Sequence, residues 1–389
     1  MTTQTVRRWS AQRKAELVLS LLKGETTLEA AARAHGLEPE QLRDWRDRFL
    51  AGAERGLDDG QPRRELRVCR DVAEAVGNTP LVRLNRVVPG FRGEAWAKLE
   101  FMNPMGSVKD RVARQMVELA AGDGRLSPGD VIVEASSGNT AMGLGMMSIL
   151  GGYRCKVVVR DRTSREKVAA LRALGVEVQV VDGSLPREHP DSYSRIMEQV
   201  VRDTPDCYFP DQHHNRENNL AHYRTTGPEL WEQMEGRIDA FVAGAGTGGT
   251  VSGVARFLKE QDPRIQVIAV DPVGSVFAGW WRERKLGQPR PWKLEGLGDE
   301  ELCGCVEWDL IDDFLQVPEK EAFLCARELA RKEAILAGGS SGAALWGVRQ
   351  VAARLGEGAR IATLFPDGGV RYLSTFFDDE WMLKNGYLP

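Results

Sequence analysis

The residues of this chain that could do chemistry are grouped in four short stretches, the first of which contains Lys109. The segment KLEFMNPMGSVKDR (98–111) places this lysine after an irregular Asn-Pro-x-Gly-Ser turn, where we predict that a helix begins. The positive end of a helix dipole disfavours an ammonium ion, and Schiff-base chemistry needs a neutral amine. A lysine in a first helical turn is more commonly a solvated charge, so its interpretation depends on the other stretches.

The second stretch, EASSGNTAMG (134–143), predicts an anion-binding turn at the start of a helix. It follows an apolar segment and offers hydroxyls, an amide and backbone N–H groups from a run of small polar residues, Ser136, Ser137, Gly138, Asn139 and Thr140. Such groups at a helix N-terminus suit a carboxylate. The alternative is a plain Ser/Asn turn with an N-cap.

The third stretch, GAGTGGTVSG (244–253), predicts a phosphate-binding loop after another apolar strand. Backbone N–H groups and two hydroxyls would surround the phosphate, from Gly246, Thr247, Gly248, Gly249 and Thr250. The glycines also match the G-x-G-x-x-G pattern of dinucleotide-binding proteins, and Asp271 follows a strand at about the expected distance. Against that alternative, the loop carries threonines and lies deep in the chain, and the first two stretches would have no role.

The fourth stretch, AGGSSGAAL (337–345), consists of small residues around Ser340. Small side chains let a backbone and a serine approach a flat ring closely. A helix C-cap with a tight turn is the alternative interpretation of this stretch.

In this order and spacing, the four stretches resemble the cysteine synthase and cystathionine β-synthase family of fold-type II pyridoxal-phosphate enzymes. The resemblance runs from about Asn78 to the end. It is strongest with the cystathionine β-synthase branch in DQHHNRENNLAHYRTTGPEL (211–230), EGLG (295–298) and DDEWMLKNGYL (378–388). It implies a pyridoxal 5'-phosphate cofactor bound by Lys109, with Asn139 at the phenolic oxygen, residues 246–250 at the phosphate and Ser340 at the pyridine nitrogen. Residues 136–140, with Gln212, would bind the substrate carboxylate.

The reaction implied by this resemblance is β-replacement on serine or an O-activated serine. Lys109 would take the Cα proton, the β-substituent would leave, and a thiol would add to the resulting α-aminoacrylate, giving cystathionine or cysteine. A neutral serine at the ring nitrogen favours loss of the β-substituent over transamination. Another nucleophile, an amine or sulfite, remains an alternative. The family resemblance also implies a homodimer.

Three positions depart from the pattern of the family. Ser136 stands where a threonine is usual, Met105 where a small residue is usual, and Asp299 where the cystathionine branch often has a tyrosine near the second substrate. The second substrate is therefore left open. We expect no haem, because a helical segment replaces the region that binds it in animal members, and no regulatory tandem domain after residue 389.

Alternating segments predict an α/β fold with two parallel-sheet subdomains, of the tryptophan synthase β type, behind a small all-α module. Predicted strands are 131–133, 156–159, 176–181, 240–243 and 267–270, and predicted helices between them are 140–150, 164–174 and 250–260. We divide the chain into a helical module (1–58), a linker (59–70) and a catalytic domain (71–389).

The sequence of the N-terminal module predicts three helices in a helix-turn-helix arrangement. They are 11–22, 28–34 and one that begins near Pro39. This segment resembles the N-terminal module of insertion-element transposases, whose third helix reads DNA. Residues 7–64 contain 12 Lys/Arg and 10 Asp/Glu, so the surplus of positive charge is small. DNA binding is therefore possible but not favoured. An amino-acid-sensing DNA-binding regulator is the alternative from a different functional class.

The bulk composition excludes several other classes of protein. A net charge of −4 gives no general attraction to nucleic acid or anionic membranes, and no apolar run approaches the roughly 20 residues of a membrane span. The six cysteines lack the spacing of zinc or redox motifs, and the pair His213–His214 has no Cys or Glu at ligand spacing. We therefore expect a cytoplasmic protein without a metal site.

Overall fold

The computed structural model describes residues 9–57, 68–136, 138–161, 163, 165–185 and 189–389. The chain divides into two units, Met1–Val68 and Cys69–Pro389. Most of the predicted linker, residues 59–67, and one predicted site residue, Ser137, lie outside the described residues.

The first unit contains three helices, α1 (Ala11–Leu22), α2 (Leu28–His35) and α3 (Pro39–Leu57). The side chains of Ser10 and Thr27 cap the first two helices, each accepting a backbone N–H bond at 3.2 Å. The helices bury a small core that includes Val18, Leu42 and Trp45. The predicted three-helix pattern is confirmed.

Helix α3 carries the arginines that a DNA-reading helix would use. Arg46 lies 2.9 Å from Asp47, and Arg48 lies 3.0 Å from Asp44. Because both of these arginines are paired with a carboxylate on the same helix, they add little net positive charge to its surface. DNA binding by this unit stays a prediction that we do not favour.

The second unit alternates strands and helices, as the apolar pattern predicts. Its strands are β1 (Leu81–Leu84), β2 (Glu94–Leu99), β3 (Val131–Ala135), β4 (Arg154–Arg160), β5 (Glu177–Val181), β6 (Cys207–Tyr208), β7 (Ala240–Gly244), β8 (Gln266–Pro272), β9 (Asp313–Val317) and β10 (Arg360–Phe365). Its α-helices are α4 (Lys109–Gly122), α5 (Asn139–Gly151), α6 (Arg165–Ala173), α7 (Tyr193–Asp203), α8 (Glu217–Ala221), α9 (Gly227–Gln233), α10 (Gly249–Gln261), α11 (Phe277–Glu283), α12 (Glu319–Glu328), α13 (Gly339–Ala352) and α14 (Asp379–Lys384).

These strands form two sheets, which confirms the predicted pair of parallel-sheet subdomains. The larger sheet has the order β1-β2-β10-β7-β8-β9, and the smaller has the order β5-β4-β3-β6. Every pairing is parallel except that between β1 and β2, at the edge of the larger sheet. Parallel strands require long crossovers, and the helices that make them cover the sheet faces.

Strand β7 shows how the large sheet is buried on both faces. Ala240 and Val242 belong to the apolar cluster under α12 and α13, whereas Phe241 and Ala243 belong to the cluster under α9, α10 and α11. Successive side chains of a strand point to opposite faces, so a strand between two helical layers must be apolar at every position. This explains the continuous apolar run in the sequence. Among the described residues, no helix is long and apolar enough to cross a membrane.

Candidate active site

Most of the predicted site residues lie in segments that follow strands of the two sheets, whereas Ser340 lies at the start of α13. The segment that runs from the end of β3 into the first turn of α5 contains residues 136–140, which we call the serine loop. The segment that runs from the end of β7 into the first turn of α10 contains residues 245–250, which we call the glycine loop. The turn before Lys109 is held to the end of β10, because Val108 N–H donates to the Pro366 carbonyl at 2.8 Å. The carboxyl ends of parallel strands are the usual ligand-binding edge of such sheets.

Lys109 is the first residue of α4, as predicted, and its amine reaches the glycine loop. Its Nζ lies 3.4 Å from Thr247 Oγ1, which also accepts a hydrogen bond from Asn218 Nδ2 at 2.9 Å. The same amide donates to the Gln212 carbonyl at 2.8 Å. Burial lowers the pKa of Lys109 to about 8, because the charged form loses its hydration. The neutral amine is therefore a far larger fraction near neutral pH than in an exposed lysine, whose pKa is about 10.4.

The helix that carries Lys109 is anchored to β2 by a buried ion network. Arg111 lies between two carboxylates, 2.7 Å from Glu100 and 2.7 Å from Glu229. Lys98 of β2 lies 2.8 Å from Glu229. Burial alone would raise the pKa of Glu229, but the hydrogen bonds and charge of Arg111 hold it at about 2. No sequence motif indicated this network, because its first and last members, Lys98 and Glu229, lie 131 positions apart in the chain.

The glycine loop packs against three other segments. A Cβ on Gly246 would lie 2.4 Å from the Gly296 carbonyl oxygen, and Gly248 has a φ of +86°. These close approaches exclude larger residues from the loop. Thr250, at the start of α10, is held by the buried His222, whose Nε2 lies 3.1 Å from its hydroxyl. Gly249 begins α10, whose first-turn N–H groups have no acceptor within the helix.

The serine loop is held by side chains rather than by backbone packing. Thr140 Oγ1 donates to Gln212 Oε1 at 2.5 Å, and Asn139 Nδ2 donates to Asp367 Oδ2 at 3.0 Å. Ser136 Oγ accepts the Gly138 N–H at 3.4 Å. The structure thus brings Thr140 and Asn139 of this loop to two partners distant in sequence.

Asp367, Arg371 and Tyr372 contribute to the site but were missed by sequence reasoning. Tyr372 donates its hydroxyl proton to Asp367 Oδ2 at 2.7 Å, and Arg371 Nη1 donates to Asn139 Oδ1. Both the nitrogen and the oxygen of the Asn139 side-chain amide are therefore hydrogen-bonded, which fixes its orientation. Asp367 follows directly after β10, and a carboxyl group at a strand end was the only signal that could have found it.

Ser340 lies in the first turn of α13, so the alternative interpretation of its stretch as a helix C-cap is wrong. Gly338 N–H donates to the Asp367 carbonyl at 3.0 Å, which joins this stretch to the residue that also holds Asn139. Ser340 is buried, and its hydroxyl forms no hydrogen bond with any part of the chain that the structure describes. The structure does not support the alternative of dinucleotide binding. Asp271, the acidic residue that this alternative requires, is buried beneath α11 and accepts the Ala278 N–H at 3.0 Å.

Comparison with known proteins identifies the family. The sequence profile of the pyridoxal-phosphate dependent enzymes matches residues 72–367. The chain belongs to this family of enzymes. A transposase profile matches residues 3–75, in agreement with the resemblance of the N-terminal module.

Individual relatives are similar over most of the chain. Cystathionine β-synthase of Oryctolagus cuniculus is 39% identical over 326 residues, 83% of this chain and 59% of the relative. The enzyme of Apis mellifera is 38% identical over 325 residues, 83% of this chain and 64% of the relative. The chain therefore spans about three fifths of these curated relatives. A hydrogen sulfide-producing enzyme of Fusobacterium nucleatum is 33% identical with a TM-score of 0.72, covering 78% of this chain and 98% of that structure.

The residues present fit the pyridoxal phosphate of this family. A buried amine of lowered pKa stands at Lys109, next to a glycine loop at the start of a long helix. Helix N-termini bind phosphate through their free N–H groups. The unpartnered hydroxyl of Ser340 is a neutral group available to a ring nitrogen. No cluster of residues able to hold a metal ion occurs within the described ranges.

Proposed function

We propose that this enzyme catalyses β-replacement on serine or an O-activated serine with a thiol, producing cystathionine or cysteine. The observation that carries the proposal is the hydrogen-bonded path from the Lys109 amine through Thr247 and Asn218 to Gln212, whose side chain holds Thr140. This path connects the proton-transferring amine with the groups suited to bind an amino-acid carboxylate.

Each candidate residue has a role in this proposal. Lys109 binds the cofactor, Asn139 contacts its phenolic oxygen and Ser340 faces its ring nitrogen. The phosphate is bound by the glycine loop, through Gly246, Thr247, Gly248, Gly249 and Thr250. The substrate carboxylate is bound by the serine loop and the residue that supports it, through Ser136, Ser137, Gly138, Asn139, Thr140 and Gln212.

The side chains supply positioning and proton transfer. Pyridoxal phosphate, when bound, supplies the electron sink that acidifies the Cα proton. The Lys109 amine accepts that proton and later returns it to Cα, for which its pKa of about 8 is well matched to neutral pH. Gln212 and Thr140 orient the substrate through its carboxylate. A neutral hydroxyl at Ser340 does not stabilise a protonated ring, so departure of the β-substituent is favoured over transamination.

The visible absorption spectrum of the loaded enzyme tests this proposal. We expect a cofactor band that changes on addition of L-serine or O-acetylserine and returns when homocysteine or sulfide is added. A change with serine favours cystathionine formation, and a change with O-acetylserine alone favours cysteine formation. Absence of a cofactor band after incubation with pyridoxal phosphate would overturn the proposal. Lys109→Ala serves as the control, because it should lose the covalently bound cofactor.

Cysteine should be tested as a third amino-acid donor. The relative from Fusobacterium nucleatum produces hydrogen sulfide and is similar to nearly all of this catalytic unit. Release of sulfide from cysteine, with serine inactive as a donor, would favour this second function. Both functions use the same Lys109 and the same carboxylate-binding loop.

We also propose that the catalytic unit forms a homodimer. Met102, Val370 and Leu373 are apolar side chains that remain 57%, 69% and 53% exposed. They lie after β2 and β10, which are adjacent strands, so they can form one apolar surface. We expect Val370→Asp to convert a dimer to a monomer in sedimentation experiments. A wild-type chain that sediments as a monomer would contradict this proposal.

The cell compartment and the role of the N-terminal unit are also open to experiment. All six cysteines are free thiols, which supports a reducing, cytoplasmic environment. The regulator alternative requires the full chain to retard DNA in an amino-acid-dependent way. We expect turnover without such retardation.

A further inference from the structure

We propose that His213 accepts the proton of the incoming nucleophile in the second half of the reaction and that Asp299 positions it. This inference rests on the proposed function and assigns its second substrate a dedicated base. The sequence indicated no metal site at His213 and His214. It gave no role to Asp299, which departs from the pattern of the family. The structure brings them together, with His213 Nε2 3.8 Å from Asp299 Oδ2.

The backbone of His213 links this residue to the site. The Asn218 amide donates to the Gln212 carbonyl, which is part of the peptide bond between Gln212 and His213. Three hydrogen bonds therefore separate the Lys109 amine from this peptide, by way of Thr247 and Asn218. The His213 carbonyl in turn accepts the Cys305 N–H at 3.1 Å. Both sides of the residue are thus fixed to the walls of the site.

Asp299 is held rigidly by its own neighbours. Its Oδ1 accepts the backbone N–H of Glu300 at 2.7 Å, and its Oδ2 accepts a hydrogen bond from the Cys303 thiol at 3.4 Å. Its backbone N–H donates to Ser275 Oγ at 3.1 Å. At 3.8 Å this carboxylate is beyond hydrogen-bond distance, so its charge orients the imidazole and stabilises the imidazolium that forms when His213 takes up the proton.

Exposure distinguishes this pair from the rest of the site. Gln212 and Thr140 are buried, whereas the side chains of His213 and Asp299 are 41% and 30% exposed. The second substrate arrives from solvent after the first has bound. It therefore meets the solvent side of the site, where His213 lies.

Loss of hydration around the partly buried imidazole keeps His213 in its basic form. Burial lowers the pKa of His213 below its usual range, and the Lys109 ammonium acts in the same direction, while Asp299 opposes it. The other titratable groups facing the pair are Asp211, His214, Cys303 and Cys305. A neutral imidazole near pH 7 is a base, not an acid.

The proposed step is balanced. A thiol has a pKa of about 8.5, so most of it carries its proton at pH 7. The S–H bond breaks, its proton passes to His213 and then to solvent, and the sulfur electron pair forms the new bond to the substrate Cβ. The leaving group has departed before this step. Lys109 keeps the Cα proton and returns it to Cα.

The test compares His213→Asn with His214→Asn in the loaded enzyme. His214 is a matched control, since it is adjacent in sequence and lies 3.1 Å from its own aspartate, Asp211. Both variants should keep the cofactor and the spectral response to the amino-acid donor. The measured quantity is the rate at which L-homocysteine, or inorganic sulfite, reverses that response. Sulfite is already an anion and needs no base.

We expect His213→Asn to slow the thiol step roughly 100-fold at pH 7, the usual size of a general-base contribution. The loss should shrink as pH rises above about 8.5, where the thiol ionises unaided. Asp299→Asn should show the same pH dependence with a smaller loss, and His214→Asn should resemble the wild type. The rate with sulfite should change less than about twofold in all variants.

Three outcomes would overturn the inference. One is an unchanged thiol rate in His213→Asn, the second is an equal loss for thiol and sulfite, and the third is a loss that does not depend on pH. Each leaves the proposed function intact. A wild-type enzyme without any spectral response to an amino-acid donor would instead reject the proposed function itself, and this inference with it.

Discussion

The serine loop and the glycine loop both connect a parallel strand to a helix, but they are held in different ways. A Cβ on Gly246 in the glycine loop would lie 2.4 Å from a carbonyl oxygen, whereas a Cβ on Gly138 in the serine loop would meet nothing within 4 Å. The serine loop instead depends on side-chain bonds from Asn139 and Thr140. In the function that we propose, backbone packing suits the glycine loop, which would bind a permanent cofactor. Exchangeable side-chain bonds suit the serine loop, which would bind and release a substrate.

The largest expected effect is a loss of stability when the buried ion network that anchors α4 is broken. Arg111→Leu leaves the fully buried Glu100 without its partner and should reduce the free energy of unfolding by about 3–5 kcal/mol. Urea denaturation measures the loss. The control is Arg114→Leu on the same helix, whose partially exposed pair with Glu118 should contribute less than about 1 kcal/mol. Equal losses would mean that α4 is not anchored by this network.

Alanine at the two loop glycines tests the comparison directly. Gly246→Ala should cost about 1–3 kcal/mol of overpacking and weaken pyridoxal phosphate binding by roughly 10- to 100-fold. Gly138→Ala should change cofactor affinity less than about twofold, because its Cβ meets no neighbour, and its backbone at φ −135° and ψ −132° should limit the loss of stability to about 1 kcal/mol. Cofactor titration and urea denaturation measure the two effects. Similar losses in the two variants would remove the distinction between the loops.

The side-chain support of the serine loop should affect substrate more than cofactor. Thr140→Val leaves Gln212 Oε1 buried without the bond that it accepts at 2.5 Å, at a cost of about 1–3 kcal/mol. We expect KM for the amino-acid donor to rise by roughly 10- to 100-fold while cofactor affinity stays unchanged. Steady-state kinetics and cofactor titration separate the two. A parallel loss of cofactor affinity would contradict this division of roles.

The smallest expected effect is a pH dependence of cofactor capture. Lys109 is more often a neutral amine as pH rises through its lowered pKa of about 8, because burial disfavours the ammonium form. The initial rate of pyridoxal phosphate capture should therefore rise about tenfold from pH 7 to pH 9 and then level off. Absorbance after rapid mixing measures it. A rate that falls with pH, or does not change, would contradict the assigned role of the amine.

The sequence predicted more of the fold than of the contacts within the site. Continuous apolar runs located strands β3, β4, β5, β7 and β8, since a strand buried on both faces is apolar at every position. The edge strands β1, β6 and β9 were missed, as were the interior strands β2 and β10. Their pattern is weak, and their pairing partners are distant in sequence. Strand β10 separates β2 from β7, an order that no local pattern contains.

The sequence by itself determined the family and the kinds of chemical group at the site. The lysine, the hydroxyls and the glycines whose backbone N–H groups are exposed all lie in short local stretches of the sequence. Only the tertiary structure decided which side chains act together. It joined Thr140 to Gln212 and Asn139 to Asp367 by hydrogen bonds, and it brought His213 to 3.8 Å from Asp299. The physical reason is that a hydrogen bond depends on distances of about 3 Å. Such distances between residues 72 to 228 positions apart are set by sheet order and helix packing rather than by neighbours along the chain.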